Sequence, residues 1–239
     1  MRRWRYESAG DLDRTLFQRL AAFPREPDLV VYTLRMILGV LWRGWLRVYQ
    51  RLRIRGGENL PAGSCVIVAN HQSHLDSLAI LSALPLRRMH HAYPAAARDY
   101  FFENIPRLCI ATVMVNAVPF ARDPKGCESL RTCRKLLARP GTVLILYPEG
   151  TRSATGEMGP FLPGVGAIVA GRDIPVVPCR LDGAFEACPK HARFPRPRRI
   201  TATFGKPMRF GDRPRGRASA EAIASELRAA VRGVGRGGG

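Results

Sequence analysis

The stretch VIVANHQSHLD, residues 66–76, indicates which kind of fold this chain adopts. Its first four residues are β-branched or small and apolar, which is typical of a buried strand. The apolar run ends at Ala69, and a helical pattern resumes near Ser73. Two histidines and an aspartate lie around this turn. A strand that leads into a helix through a polar turn predicts an α/β protein with chemistry at the strand end.

The rest of the chain repeats this alternation. Strand-like runs cover residues 51–56, 65–70, 112–120, 142–148, 174–181 and 199–205. Helix-like runs cover residues 74–84, 127–139, 165–171 and 219–232. The last run has Ser219 as its predicted N-cap. The pattern predicts α/β architecture: a central, mostly parallel or mixed sheet flanked by helices. Sites in such sheets lie at the carboxyl ends of strands, so residues 70–76 and 148–153 are expected at one edge.

Composition limits the partners and the compartment. The 239 residues include 38 Lys and Arg against 19 Asp and Glu, a net charge of +19. This excess predicts attraction to a polyanion, either nucleic acid or anionic lipid. The six cysteines form no CxxC pair and no zinc spacing, and the first residues lack the apolar run of a secretory signal. We therefore expect free thiols in a reducing, cytosol-facing environment.

Residues 29–53 have the pattern of an amphipathic helix. On a helical projection, its arginines share one side: Arg35, Arg43, Arg47 and Arg51. The other side is apolar and carries two tryptophans. Arg35 interrupts the run too early for a bilayer span of about 20 apolar residues. The pattern therefore predicts a helix lying among anionic headgroups. The alternative is a helix packed on the sheet with its arginines in solvent.

The cluster NHQSHLD, residues 70–76, has three interpretations. Ser73 and Asp76 match a capping box at a helix start. His71, His74 and Asp76 could instead contribute to a metal site, although no companion motif supplies the remaining ligands. In the third interpretation, Asp76 orients His71 as a general base. That pair can meet only if His71 lies in the turn before the helix and Asp76 in its first turn. Capping and catalysis are compatible.

The run TVLILYPEGTRS, residues 142–153, also ends in polar residues after an apolar strand. Pro148 ends the strand ladder, and Gly150 permits a tight turn. Glu149 and Arg152 are close enough in sequence to form a local ion pair. Alternatively, Arg152 binds a phosphate bidentately, with help from Thr151 and nearby N–H groups.

Together, these motifs resemble those of the lysophospholipid acyltransferase family, the glycerolipid acyltransferases that include 1-acylglycerol-3-phosphate acyltransferase. The family's first block is matched by Asn70, His71 and Asp76. Its third block, proline-glutamate-glycine-threonine-arginine-serine, is matched by residues 148–153. The second block resembles AVPFAR, residues 117–122, and the fourth resembles IPVVPCRLDG, residues 174–183. The resemblance covers roughly residues 52 to 210.

The resemblance implies a single α/β acyltransferase domain, which we place at residues 54–232. The amphipathic pattern predicts an N-terminal helical membrane-contact region before it, residues 1–53, and the low-complexity composition of the C-terminal end predicts a disordered tail, residues 233–239. The resemblance also implies that His71 takes a proton from a lysolipid hydroxyl while Asp76 holds the imidazole. The residues implied to place the acceptor are Arg122, Glu149, Gly150, Thr151 and Arg152. No metal or bound cofactor is implied. The acyl donor would be a thioester of coenzyme A or of acyl carrier protein. The expected location is the cytoplasmic face of a membrane, peripheral or monotopic, as in a bacterial inner membrane.

The chain also departs from the family pattern. Phe161-Leu162-Pro163-Gly164 stands where many relatives carry a basic residue after the phenylalanine. The acceptor could therefore be a lysolipid with a zwitterionic or amino-acid-derived headgroup. A non-catalytic protein that binds a membrane surface is a further alternative. The basic run from Lys190 to Arg217 lacks nucleic-acid-binding motifs, so an anionic lipid surface or acidic acyl carrier protein is the expected partner, with no nucleic acid.

Overall fold

The computed structural model describes residues 29–97, 110–120 and 127–235, and these form the α/β architecture expected from the sequence. The strands are β1 (Arg53–Arg55), β2 (Cys65–Ala69), β3 (Ala92–Ala97), β4 (Val118–Phe120), β5 (Val143–Leu146), β6 (Val176–Asp182) and β7 (Thr201–Phe204). The helices are α1 (Leu29–Val48), α2 (Leu75–Ala83), α3 (Cys127–Leu137), α4 (Gly164–Val169), α5 (Ala184–Ala187) and α6 (Arg217–Gly233). Short helical turns cover Gly57–Asn59, Leu86–His91 and Ile110–Met114.

The strands form one mixed sheet in the order β1-β7-β6-β2-β5-β3-β4. Neighbouring strands are parallel except β6 and β7, which are antiparallel. β2 and β5 are direct neighbours in the centre, with Val66 opposite Leu144. Because these two strands are parallel, the polar turns that follow them emerge at the same edge of the sheet.

Helices cover both faces of the sheet, which explains why the central strands read as continuous apolar runs. In β2, Cys65, Ile67 and Ala69 pack into the cluster that includes α1, α2 and α5. Val66 and Val68 point to the other face and pack with α3, α4 and α6. All five side chains of β2 are buried. The sheet is therefore a rigid support for whatever its carboxyl edge carries.

Helix α1 packs through the side that was expected to face headgroups or solvent. Arg35 is only 2% exposed. Its guanidinium donates hydrogen bonds to the carbonyl oxygens of Thr112 at 2.8 Å and Val113 at 3.0 Å. Arg43 donates to two carbonyl oxygens at the C-terminal end of α2, at 2.8 and 2.6 Å. Arg35 and Arg43 therefore lie neither among headgroups nor in solvent, so both predicted placements are wrong for these two residues. The reason is that carbonyl oxygens at the ends of nearby helices lack donors within their own helix and accept the arginine N–H groups instead.

The outward side of α1 is apolar. Its exposed large hydrophobic residues are Leu29, Val30, Leu34, Ile37, Val40, Leu41 and Val48. The helix has 20 residues and is therefore about 30 Å long. Within residues 29–97, 110–120 and 127–235, α1 is the one helix whose length and apolar composition would allow it to cross a membrane.

Three sequence predictions need correction. Residues 112–120 are not one strand: Ile110–Met114 is helical and only Val118–Phe120 is extended. Asn116 between them has a φ of 54°, which interrupts an extended run. β3 was missed because its sequence AYPAAA is rich in alanine and contains proline. Ser219 is not the N-cap of the last helix, since α6 already begins at Arg217 with Gly216 as its N-cap.

Candidate active site

The carboxyl end of β2 is fixed by the side chain of Asn70. Its Nδ2 donates to the carbonyl oxygen of Leu181 at 2.9 Å, and its Oδ1 accepts the Leu181 N–H at 2.8 Å. Leu181 belongs to β6, the neighbouring strand. Asn70 thus extends the pairing of β2 with β6 by one residue after the backbone has turned away. The following residue, His71, leaves the sheet from a fixed point.

His71 and Asp76 meet as the spacing requires. His71 lies in the turn before α2 and Asp76 in the first turn of that helix. The His71 Nδ1 and the Asp76 Oδ2 are 2.8 Å apart. The Asp76 side chain is fully buried, whereas the His71 side chain is 23% exposed. An ionised carboxylate accepts hydrogen bonds only, so Nδ1 carries the proton and Nε2 keeps a free lone pair.

The same carboxylate starts the helix. Asp76 Oδ2 also accepts the backbone N–H groups of Gln72 at 2.6 Å and Ser73 at 2.8 Å. In return, the Ser73 hydroxyl oxygen accepts the Leu75 N–H at 3.2 Å. Only half of the predicted capping box is formed, because the Ser73 hydroxyl accepts the Leu75 N–H instead of the Asp76 N–H and the N-cap of α2 is His74. The buried Asp76 carboxylate therefore binds the backbone N–H groups before α2 and orients the His71 ring at the same time.

Glu149, in the turn after β5, holds backbone groups instead of pointing into open space. Its Oε1 accepts the His71 N–H at 2.7 Å, and its Oε2 accepts the Gly159 N–H at 2.8 Å. Burial raises the pKa of Glu149, and the two N–H donors oppose that rise. The carboxylate therefore connects the turn after β2, the turn after β5 and the loop that contains Gly159.

The remaining residues of this turn lie at the same strand edge as His71, and Ser153 contacts it. Gly150 has a φ of +72°, a conformation that other residues rarely adopt. Thr151 is exposed and Arg152 is half-buried. The Ser153 N–H donates to the carbonyl oxygen of His71 at 2.9 Å. The structure thus brings the predicted residues Gly150, Thr151 and Arg152 to the edge that carries His71.

Residues 51–182 match the family model described as Acyltransferase. This match covers more than half of the chain and includes both strand-end motifs. The chain belongs to the acyltransferase family.

Relatives with curated names agree with this family. Over 145 residues, the chain is 36% identical to the chloroplastic 1-acyl-sn-glycerol-3-phosphate acyltransferase BAT2 of Brassica napus, covering 59% of this chain and 40% of that protein. Over 146 residues, it is 27% identical to 1-acyl-sn-glycerol-3-phosphate acyltransferase alpha of Homo sapiens, covering 60% of this chain and 50% of that protein. The chain thus spans about half or less of the length of these relatives.

A solved structure has the same fold. The 1-acyl-sn-glycerophosphate acyltransferase PlsC from Thermotoga maritima superposes with a TM-score of 0.64 at 24% sequence identity. The match covers 87% of this chain and 79% of that one. It supports the α/β fold, which extends beyond the residues that the family model matches.

Sequence reasoning missed Tyr147, the last residue before the turn of the third block in this acyltransferase-family chain. Its ring stacks on the imidazole of His71, with centroids 4.2 Å apart and planes at 20°. Its hydroxyl is 2.9 Å from the Ser77 Oγ. Burial raises the pKa of Tyr147 well above its ordinary value, so the phenol stays neutral. The only sequence signal was its position beside the motif; the ring contact depends on β2 and β5 being neighbours.

Sequence reasoning also missed Arg228 of α6, which lies outside the family match. Its Nε donates to the carbonyl oxygen of Gly159 at 2.8 Å, and its Nη2 donates to that of Met158 at 3.4 Å. Gly159 in turn donates to Glu149. A line of hydrogen bonds therefore connects α6 to the backbone of His71 through the loop and Glu149.

The predicted role of Arg122 remains untested by the structure. Arg122 lies outside the described residues, so its contact with the acceptor stays a prediction. Phe120, two residues earlier, ends β4, which is parallel to β3. In the described part of the chain, no cluster of three or more His, Cys, Asp or Glu side chains is arranged to hold a metal ion.

Proposed function

We propose that this protein is an O-acyltransferase that moves a fatty acyl group from a thioester to a hydroxyl of 1-acylglycerol-3-phosphate in phospholipid biosynthesis. The observation that carries the proposal is the His71–Asp76 pair, 2.8 Å apart at the strand edge with the imidazole partly open. Membership of the acyltransferase family and the names of the relatives support the same reaction.

The chemistry needs one base that later acts as an acid. As the acceptor oxygen attacks the thioester carbonyl carbon, His71 Nε2 takes the hydroxyl proton and becomes an imidazolium. Asp76 stabilises that charge, because it already accepts the Nδ1 hydrogen. When the tetrahedral intermediate collapses, the C–S bond breaks and the imidazolium returns the proton to the leaving sulfur. The products are an ester and a free thiol, and the base is regenerated.

The acceptor phosphate is proposed to bind Arg152 and Arg122, since guanidinium groups match phosphate oxygens in charge and geometry. Gly150 and Thr151 would line the same turn. We place Glu149 differently from the first expectation: both of its oxygens accept backbone N–H groups, so it orders the acceptor site without contacting the lipid directly. Coenzyme A and acyl carrier protein are both proposed as carriers of the donor, and neither requires a bound cofactor.

We also propose that the protein works at the cytoplasmic face of a membrane, such as a bacterial inner membrane, as a peripheral or monotopic protein. The support is the apolar side of α1, which stays exposed against the part of the chain that the structure describes. An apolar helix face of this size is stabilised when it is buried at the boundary of headgroups and acyl chains. Because Arg35 and Arg43 bind carbonyl groups of the protein, α1 would enter that boundary with its opposite, apolar side.

The test is acyl transfer in mixed micelles, with lysophosphatidate and radiolabelled acyl-CoA as substrates and chromatography of the labelled product. We expect His71→Ala to lose about 10²–10⁴-fold in rate, which is the usual contribution of a general base. His74→Ala is the matched control, since this exposed histidine lies three residues along the same motif. Equal product from wild type and His71→Ala would refute the mechanism. Replacing lysophosphatidate by lysolipids without a phosphomonoester tests the headgroup assignment.

A further inference from the structure

A basic loop lies beside α1, and the proposed reaction gives it no role. We define the basic loop as residues 189–199, with the sequence PKHARFPRPRR. It contains no acidic residue, and its cationic residues are Lys190, Arg193, Arg196, Arg198 and Arg199. These arginines are exposed. Phe194, in the middle of them, is 80% exposed. The loop thus presents an aromatic ring together with five cationic side chains to solvent.

The loop is fastened to the C-terminal end of α1. The hydroxyl of Tyr49, just after the helix, donates to the carbonyl oxygen of Pro195 at 3.2 Å. The Arg198 N–H donates to the side-chain oxygen of Gln50 at 3.2 Å, and Gln50 is fully buried. These contacts join the basic loop to the helix that carries the exposed apolar side. The basic loop therefore adjoins the C-terminal end of α1, where Val48 and Tyr49 are exposed.

The other end of the loop reaches the candidate active site. The carbonyl oxygen of Cys188 accepts the Ser73 hydroxyl at 2.8 Å, and Ser73 lies in the turn between His71 and α2. The Arg196 N–H donates to the carbonyl oxygen of Ala187 at 2.6 Å, which holds the loop against α5. The loop thus runs from the edge of the candidate site to the end of α1.

We propose that the basic loop is a second membrane-docking element that binds an anionic lipid bilayer, with its arginines among the headgroups and Phe194 inserted between them. Charge complementarity supports an anionic surface, since each basic side chain near such a surface contributes to binding. Phe194 and the adjoining apolar side of α1 favour a bilayer over nucleic acid, because a duplex or single strand would leave that apolar side in water. This proposal rests on the proposed function: an active site beside a membrane-bound loop would take its lysolipid acceptor from the membrane.

The experiment is vesicle flotation of the full chain without acyl donor, so that docking and acyl transfer are scored separately. The probes are vesicles of phosphatidylcholine alone and of phosphatidylcholine mixed with phosphatidylglycerol. The test variant is Arg193→Gln, Arg196→Gln, Arg198→Gln. The control variant, Arg131→Gln, Lys135→Gln, Arg139→Gln, removes the same charge from exposed positions at α3, on the opposite face of the sheet.

We expect the loop variant to bind anionic vesicles about 100-fold more weakly, as each arginine contributes about fivefold. Binding of the control variant should fall far less. Phe194→Ala keeps every charge and should weaken binding to both kinds of vesicle by about tenfold. Thermal unfolding checks that the variants are folded, and acyl transfer in detergent micelles should be retained. The inference is overturned if loop and control variants bind anionic vesicles equally. It is also overturned if the loop variant loses affinity for a short oligonucleotide while its vesicle binding is unchanged.

Discussion

Replacing Glu149 by glutamine tests most directly how the candidate site is held together. The carboxylate accepts the N–H groups of His71 and Gly159 at 2.7 and 2.8 Å. Glutamine has nearly the same shape but only one acceptor oxygen. Whichever way its amide is turned, its NH₂ group faces one of the two N–H donors, and that backbone group loses its partner.

The expected loss of stability follows from the one backbone hydrogen bond that the substitution removes. A hydrogen bond to a charged group contributes about 1.5–3 kcal/mol, and a buried donor without a partner costs about 1–3 kcal/mol. Because Glu149 is only partly buried, water can offset some of this loss, so we expect the free energy of unfolding to fall by about 2–3 kcal/mol. Since His71 is displaced with its backbone, we expect kcat to fall about 10²-fold while KM for lysophosphatidate changes little.

Urea unfolding measures the stability, and steady-state acyl transfer in mixed micelles separates kcat from KM. Glu157→Gln is the control, because Glu157 is an exposed glutamate in the same loop. A Glu149→Gln variant with wild-type stability and kcat but a raised KM would refute the reasoning. Glu149 would then be a contact for the acceptor, as the family resemblance first implied, and not a support for the backbone of His71.

The remaining predictions concern the surroundings of the site. Tyr147→Leu removes the ring that stacks on the imidazole and should lower kcat about tenfold, whereas Tyr147→Phe keeps the ring and should restore most of the rate. Arg228→Gln should lower kcat about tenfold with KM little changed, and an unchanged kcat would show that the loop holds its position without α6. Arg35→Ala leaves the carbonyl groups of Thr112 and Val113 without their donor, so the free energy of unfolding should fall by about 2–4 kcal/mol. The control Arg47→Ala, at an exposed position, should lower it by about 0.5 kcal/mol, and equal urea midpoints for the two variants would contradict the prediction. Burial raises the pKa of Cys133 to about 12, so iodoacetamide should label it in urea but not in the folded protein at neutral pH, as mass spectrometry can establish.

The central strands were predictable from sequence because their burial leaves a local signal. β2 and β5 are apolar at every position, since helices cover both faces of the sheet. β3 was not predictable in this way. Its residues are mostly alanine, and it is extended because β4 and β5 pair with it on both sides. Pairing partners that lie far away in sequence can override weak local propensity.

In the candidate site, too, the contacts between residues close in sequence were predictable and those between distant residues were not. The meeting of His71 and Asp76 followed from a five-residue spacing and the change from strand to helix, both of which are local. The contacts of Tyr147 and Glu149 with His71 span more than 70 residues and exist only because β2 and β5 are adjacent. The roles of Arg122 and the domain boundaries at residues 53 and 232 stay predictions.

Helix α1 shows most clearly what could not be predicted from the sequence. Its helical period was visible in the sequence, but the period cannot say which side packs inward. An arginine is buried when acceptors compensate for its loss of water, and Arg35 finds them at Thr112 and Val113, far along the chain. By itself, the sequence determined the α/β class, the positions of the two strand-end motifs and the pairing of His71 with Asp76. The tertiary structure alone decided which side chains support that pair and which side of α1 stays apolar and exposed, because both depend on contacts between segments distant in sequence.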